Sequence, residues 1–210
     1  MAESSVASAP QVTDQRLVKG ARARASIARH AADVASVEGL TGVSIGRLAT
    51  DLGISKSGIA TLFGSKEALQ LAAVRAAREV FVEQIVAPSM SEPRGLTRLR
   101  AVVDRWFGHV LEPAFPGGCF RVSTLAEFDS RPGPVRDAIV TDHDEWLVFL
   151  AKEIRKAQDQ GELGPGDPDA LAFELDAVVS AANTARQLGA DAKVATARAI
   201  ADRLLGRIES

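Results

Sequence analysis

Apolar side chains recur along most of this chain at intervals of three and four, the spacing that lines one face of an α-helix. Between Arg22 and Val37 the residues Ile27, Ala31, Val34 and Ala35 share a face, and the run Gly39 to Gly42 stops the helix. Ser44 is placed to cap a second segment, in which Ile45, Leu48, Ala49 and Leu52 stand at i, i+3, i+4 and i+7 before Gly53. Ser55 caps a third, with Ile59, Leu62 and Phe63 inward and Gly64 as its breaker. Ser65 caps a long fourth segment that should end at Pro88, because proline lacks the amide hydrogen a helix needs. Five more helices are expected, over roughly 92–111, 118–129, 134–160, 169–187 and 191–207. No alternating strand pattern and no internal repeat interrupts them. The expected fold class is all-α, with about nine helices.

Composition supports a packed chain: 46% of residues are hydrophobic and 25% charged, and tyrosine is absent. No apolar stretch approaches the roughly 18 residues that span a bilayer, so no membrane partner is expected. Residues 1–15 are polar, without the apolar core of a secretory signal, and read as a disordered leader. The single cysteine, Cys119, excludes an intrachain disulfide and fits a reducing compartment, so the cytoplasm is the expected location. Net charge is unevenly divided: +3 over residues 1–66 against −5 over residues 67–210. A basic end on an acidic remainder suggests that this end meets a polyanion.

The segment Ser44 to Phe63, SIGRLATDLGISKSGIATLF, has the layout of a helix-turn-helix. Ala49 must be small where two helices cross, and Gly53 four residues later permits a left-handed turn. Leu48, Leu52, Ile54, Ile59 and Leu62 are apolar where the helices should pack. Lys56, Ser57, Gly58 and Thr61 are left to point outward, and such a helix can enter the major groove of DNA.

These residues resemble the DNA-binding domain of the TetR/AcrR family of bacterial regulators. The likeness covers Arg24 to Arg75: Glu38-Gly39-Leu40, then Val43-Ser44 and Ile45-x-x-Leu48-Ala49. It continues through Leu52-Gly53-Ile54-Ser55-Lys56-Ser57-Gly58-Ile59 and Phe63-x-Ser65-Lys66-Glu67-Ala68-Leu69. The resemblance implies an N-terminal three-helix domain over 16–66 and a larger helical ligand-binding and dimerisation domain over 67–210. It also implies double-stranded operator DNA, a second copy of the chain and an unidentified small molecule as partners, and no cofactor. Ser44 and Arg47 would then lie near a phosphate at the start of the second helix. Lys56, Ser57, Gly58 and Thr61 would face the groove. Ser55, Lys66 and the N-terminal arginines, Arg24 among them, would hold the backbone, since helix N-termini favour phosphate. The chain departs from the family pattern at Ala60, where relatives usually carry a tyrosine, and at Leu62, where they often carry a histidine or another aromatic. The phosphate grip must then rest more on Lys56, Lys66, the serine hydroxyls and the N-terminal arginines.

The last two helices are the expected dimer interface. One stripe is Leu171, Leu175, Val178, Val179 and Ala182; the other is Val194, Ala197, Ala201, Leu204 and Ile208. The alternative is that both stripes pack only within the monomer. Alanines at 181, 182, 185, 195 and 199 would allow close approach of paired helices. The aromatic residues Trp106, Phe107, Phe120, Phe128, Trp146 and Phe149, with Asn183 as a polar group, are candidates for lining an apolar ligand pocket; the alternative is that they fill core. His143, within Asp142-His143-Asp144-Glu145, reads as part of a solvated acidic face, and no metal site is expected. The rival function is a helical small-molecule-binding protein or enzyme that does not touch DNA. Against an enzyme, the chain has no Gly-rich phosphate loop, no nucleophile elbow and no His-Glu-x-x-His.

Overall fold

The computed structural model describes residues 11–206, which form nine helices and no strand among those residues. Helix α1 (Gln11–Glu38) starts well before the Arg22 that periodicity marks, and residues 1–10 of the expected leader lie outside the described residues. It is followed by α2 (Ile45–Leu52), α3 (Lys56–Phe63) and α4 (Lys66–Phe81). The rod of α4 runs on through a π-helical turn (Val82–Val86) and a last α-helical turn (Ala87–Ser89) that contains Pro88. Then come α5 (Leu96–Leu111), α6 (Phe120–Phe128), α7 (Pro134–Asp159), α8 (Pro168–Gln187) and α9 (Asp191–Leu204).

Two apolar cores divide the molecule. The first, in what we call the head, joins Ile27, Ala31 and Ala35 of α1 to Leu48, Ile59 and Phe63 of α2 and α3. It does not stop at residue 66: Leu69 to Ala77 of α4 belong to it, as do Phe115, Phe120, Phe128, Val135 and Ile139 from the later chain. The second core, in the body, begins on α4 at Phe81 and gathers Trp106, Trp146, Leu150, Leu175 and Ala201. The two cores therefore meet on α4 between Ala77 and Phe81, and this helix is the shaft common to both.

Close backbone approach fixes the head on the body. A Cβ built on Gly117 would stand 1.9 Å from the carbonyl oxygen of Ser36, so only glycine lets this loop reach α1. The Gly117 N–H donates to Ser36 Oγ at 3.0 Å, and Arg29 Nη2 donates to the Ala114 carbonyl at 2.6 Å. At the far end of α6, the Glu127 carboxylate accepts from the Leu40 and Thr41 amides at 2.7 and 2.9 Å.

The stripes expected to form a dimer interface pack mostly inside the subunit. Leu175, Ala182, Val194, Ala197 and Ala201 are buried in the body core, and Leu171, Val178 and Leu204 are half-buried against it. These side chains are satisfied within one chain because α8 and α9 form a hairpin whose inner faces meet each other and the rest of the body. Ile208 lies outside the described residues. The face of the same hairpin left open carries Phe173 (62% exposed) and Leu188 (78%), with Ala177, Ala181, Ala195 and Ala199 between and beside them.

Candidate nucleic-acid interface and effector cavity

The turn of the helix-turn-helix is built as its sequence requires. Gly53 adopts a left-handed conformation (φ 63°, ψ 30°), and its N–H closes α2 onto the Ala49 and Thr50 carbonyls. Each of the three serines is an N-cap. Ser44 Oγ accepts from the Arg47 N–H at 3.2 Å, Ser55 Oγ from Gly58 at 3.1 Å and Ser65 Oγ from Ala68 at 3.0 Å. Leu48, Ala49, Ile59 and Phe63 turn inward and are buried. Ile54, expected among the packing residues, instead faces out, because the turn ends its helical register before α3 begins.

The outward face of α3 presents Lys56, Ser57, Gly58, Ala60 and Thr61, all exposed. Thr61 Oγ1 donates back to the Ser57 carbonyl at 2.8 Å, which holds its hydroxyl against the helix. Lys56 extends past α2, where a Cβ built on Gly46 would stand 3.8 Å from its Nζ. Arg24 of α1 donates from Nη1 to the Leu62 carbonyl and lies 4.7 Å from the centre of the Phe63 ring, so it ties α1 to the end of α3. Lys66 Nζ donates to the Thr41 carbonyl at 2.6 Å while its side chain remains exposed. Arg47 is matched by Asp51 at 2.8 Å and Glu38 at 2.9 Å. Hydrogen bonding to Asp51 first, and to Glu38 second, raises the Arg47 pKa further. Its charge is thus balanced, whereas the free end of Lys56 is open to solvent.

Below the head lies a cavity at the junction of the two cores. Its inner chamber, about 20 Å³, is closed by Val74, Ala77, Phe115, Phe120, Thr124 and Ile139. Its outer cleft, about 220 Å³, lies between Phe81, Val82 and Val86 on the α4 rod and Trp146 and Phe149 on α7. The π turn, where Ala87 N–H reaches back five residues to the Val82 carbonyl, forms one rim. Arg78, Phe81, Arg121 and Asp142 border both chambers.

Of the expected pocket residues, Phe120, Trp146 and Phe149 line this space. Trp106 backs it from within the core, with its ring edge-on to Trp146 at 4.8 Å. Phe107 lines a different groove beside α9, where it lies 5.2 Å from the Arg198 guanidinium. Phe128 belongs to the head core, and Asn183 is occupied in accepting the buried Cys119 N–H at 2.9 Å. None of these three borders either chamber of the cavity.

The sequence reading missed the polar wall. Arg121 Nε donates to Asp142 at 2.9 Å, and Arg78 pairs with Asp142 at 3.4 Å and with Glu145 at 2.5 Å. His109 also faces the inner chamber; burial, with the Arg121 charge second, lowers its pKa to about 4, and its Nδ1–H donates to Gln84 Oε1 at 3.0 Å. Burial likewise pushes the Cys119 thiol up, which keeps it protonated and unreactive. His143 is no solvated residue: its Nε2 lies 3.0 Å from Asp176 Oδ2, half-buried against α8. The available signal was a lone arginine directly after Cys119-Phe120 inside an aromatic-rich helix. Among the described residues no group of three or more His, Cys, Asp or Glu could hold a metal ion, and no helix is long and apolar enough to cross a membrane.

Residues 95–201 match the family model described as Tetracyclin repressor-like, C-terminal domain, which is half of the chain. The chain belongs to the TetR family of transcriptional regulators. Its TetR-family fold is shared along nearly its whole length with a TetR transcriptional regulator from Chloroflexus aurantiacus J-10-FL. The two are 26% identical, with a TM-score of 0.80 over 90% of this chain and 94% of that one. A TetR-family regulator from Agrobacterium tumefaciens has the same fold at 23% identity, TM-score 0.76, over 90% and 99% of the two chains. AibR, solved with isovaleryl coenzyme A and operator DNA, has it at 24% identity, TM-score 0.63, over 75% and 84%. No curated protein sequence matches the chain.

Proposed function

We propose that this TetR-family regulator is a dimeric repressor that binds a palindromic operator through α3 and is released by a small molecule bound in the body. The observation that carries the reading is the solvent-facing surface from Ser55 to Thr61, rigidly capped at Ser55 and backed by a buried apolar face. Lys56 reads a base edge, since lysine can donate to the guanine acceptors of the major groove. Ser57, Gly58 and Thr61 approach the groove. Ser44, Ser55 and Lys66 lie at helix starts, where free amides favour phosphate, and Arg24 and Arg47 brace the surface. The complex of AibR with operator DNA supports a DNA-binding role for the shared fold. Residues 16–66 supply the DNA contacts and 67–210 the effector site and dimer contacts, and the protein works in the cytoplasm by binding rather than turnover.

A single helix-turn-helix covers few base pairs, so two heads must act together. The second copy docks on the open face of the α8–α9 hairpin. There Phe173 and Leu188 are exposed hydrophobic side chains beside small residues, and small residues let paired helices approach closely.

Coupling between cavity and head runs along α6. Arg121 in its first turn borders the cavity, and Glu127 in its last turn holds Leu40 and Thr41 at the entrance to α2. Six residues of helix separate them, about 9 Å of stiff rod. Lys66 grips the same Thr41. A ligand that shifts α6 therefore moves the loop on which α2 and α4 both rest.

The test is retention of a labelled fragment of the gene's own upstream region, measured by fluorescence anisotropy at two salt concentrations. Sequence-specific binding that weakens steeply with salt is the expected result. Equal binding to scrambled DNA, or none at low salt, overturns the reading.

A further inference from the structure

We propose that the cleft between Phe81 and Trp146 takes a small monocarboxylate with a flat or short apolar body, held by Arg121 and Trp146. The inference deepens the effector reading above and rests on it.

The argument begins with donors that have no acceptor. Arg121 is 9% exposed and Trp146 is 4% exposed, yet Arg121 Nη1 and Trp146 Nε1 are buried without a hydrogen-bond partner. A buried donor left unpaired costs free energy, more so when it is charged, and side chains in this state point to something missing. Arg100 Nε and Arg105 Nε are also unpaired, but both arginines spend Nη2 on main-chain carbonyls away from the cleft. Arg121 and Trp146 are different, because both border the same open space of about 220 Å³.

The charges on the wall are already matched to one another. Asp142 is taken up by Arg121 Nε and Arg78, and Glu145 by Arg78. His109 is neutral near pH 7, its pKa being held near 4 by burial. The wall is therefore balanced, and what it still lacks is acceptors. A carboxylate brings two oxygens, one for each donor, and its bond to the guanidinium is charge-assisted. A primary amide of the same shape brings one acceptor and turns its own N–H groups toward donors. A cation brings none.

The rest of the cleft specifies the body. The Arg121 guanidinium stands 4.1 Å from the Phe81 ring centre and 5.5 Å from that of Trp146, so packing fixes where its free nitrogen lies. Trp146 and Phe149 stack at 5.7 Å with their planes 25° apart and, with Val82 and Val86, complete an apolar slot. An aryl ring or a chain of a few carbons suits such walls, whereas a sugar or peptide would leave hydroxyls or amides unpaired.

The experiment titrates the DNA-free protein by isothermal calorimetry and tryptophan fluorescence with benzoate, phenylacetate and hexanoate to 10 mM. Each is compared with its primary amide and with benzyltrimethylammonium. At least one carboxylate should bind saturably, at least tenfold more tightly than its amide and than the cation. Trp146→Phe, which keeps an aromatic ring but removes the N–H, should weaken the carboxylate at least threefold and leave the amide unchanged by calorimetry. Arg121→Gln should abolish carboxylate binding, with circular dichroism confirming the fold. Amides that bind as well as acids, a preferred cation, or no acid bound by 10 mM each overturn the proposal on the wild-type protein alone. Because DNA is absent, this failure is distinct from loss of operator retention, which would instead overturn the repressor reading.

Discussion

Glu127 holds Thr41 twice: one carboxylate oxygen accepts from the Thr41 N–H at 2.9 Å and from its hydroxyl at 2.7 Å. The other oxygen accepts the neighbouring Leu40 N–H at 2.7 Å. Gly39 makes this possible, since a Cβ built there would stand 2.8 Å from that same carboxylate. One side chain of α6 thereby replaces the partners that three polar groups beyond α1 would otherwise seek in water.

Replacing Glu127 by Gln puts an N–H₂ where an acceptor is needed. The variant should lose about 1–2 kcal/mol of stability, the scale of a hydrogen bond to a charged group at a partly exposed site. Chemical denaturation measures this. Its operator affinity should also respond less to effector than the wild type; an unchanged response would remove α6 from the coupling route.

Lys66→Ala should weaken binding to every DNA sequence and reduce the salt slope by about one phosphate contact. The bond from Lys66 Nζ to the Thr41 carbonyl anchors the side chain at the head surface without covering it. A log–log plot of affinity against salt decides the matter, and an unaltered slope would assign Lys66 to structure only.

His109 gives a pH dependence of definite sign. Its folded pKa of about 4 lies below the ordinary histidine value of 6.5, so below pH 6.5 the unfolded chain takes up the proton first. The stability linked to this group is complete above pH 6.5 and is lost as the pH falls toward 4. The loss amounts to roughly 3 kcal/mol at full effect. Urea denaturation at pH 7 and 4.5, compared with His109→Gln, should show this component disappear from the variant.

Gly117→Ala should destabilise by about 3 kcal/mol or more, because its methyl meets a main-chain oxygen that cannot rotate away. Thermal unfolding followed by circular dichroism is the measurement. A melting temperature within a degree of wild type would mean that the loop yields.

Phe173→Asp places a charge on the open α8–α9 face in place of an exposed aromatic ring. It should convert the proposed dimer to monomer by size-exclusion chromatography with light scattering, while the helical content stays the same. Leu175→Ala, by contrast, should lower stability by about 2–5 kcal/mol, as for a buried leucine.

The helix-turn-helix was the most legible part of the chain, because its determinants are local. A serine caps the amides two or three residues ahead of it, and a glycine takes a left-handed turn wherever the chain needs one. Lys56 and Thr61 could be assigned to an outer face from spacing alone, although Ile54 was misplaced because helical periodicity does not extend through a turn. The cavity was legible only as an excess of aromatic residues. Which of them face empty space depends on helix rotation: Phe120 and Phe128 share one helix and both belong to the head core, yet Phe120 lines the cavity and Phe128 does not.

The sequence by itself determined the number of helices, the helix-turn-helix and the family, since period, caps and breakers act within a few residues of one another. Only the tertiary structure decided which apolar stripe of α8 and α9 is core and which is open, since both stripes repeat at the same interval. It also decided that Arg121 and Trp146, each with a buried donor left unpaired, border one cleft. Those facts arise from pairs of residues distant in the chain, whose separation in space no local pattern encodes.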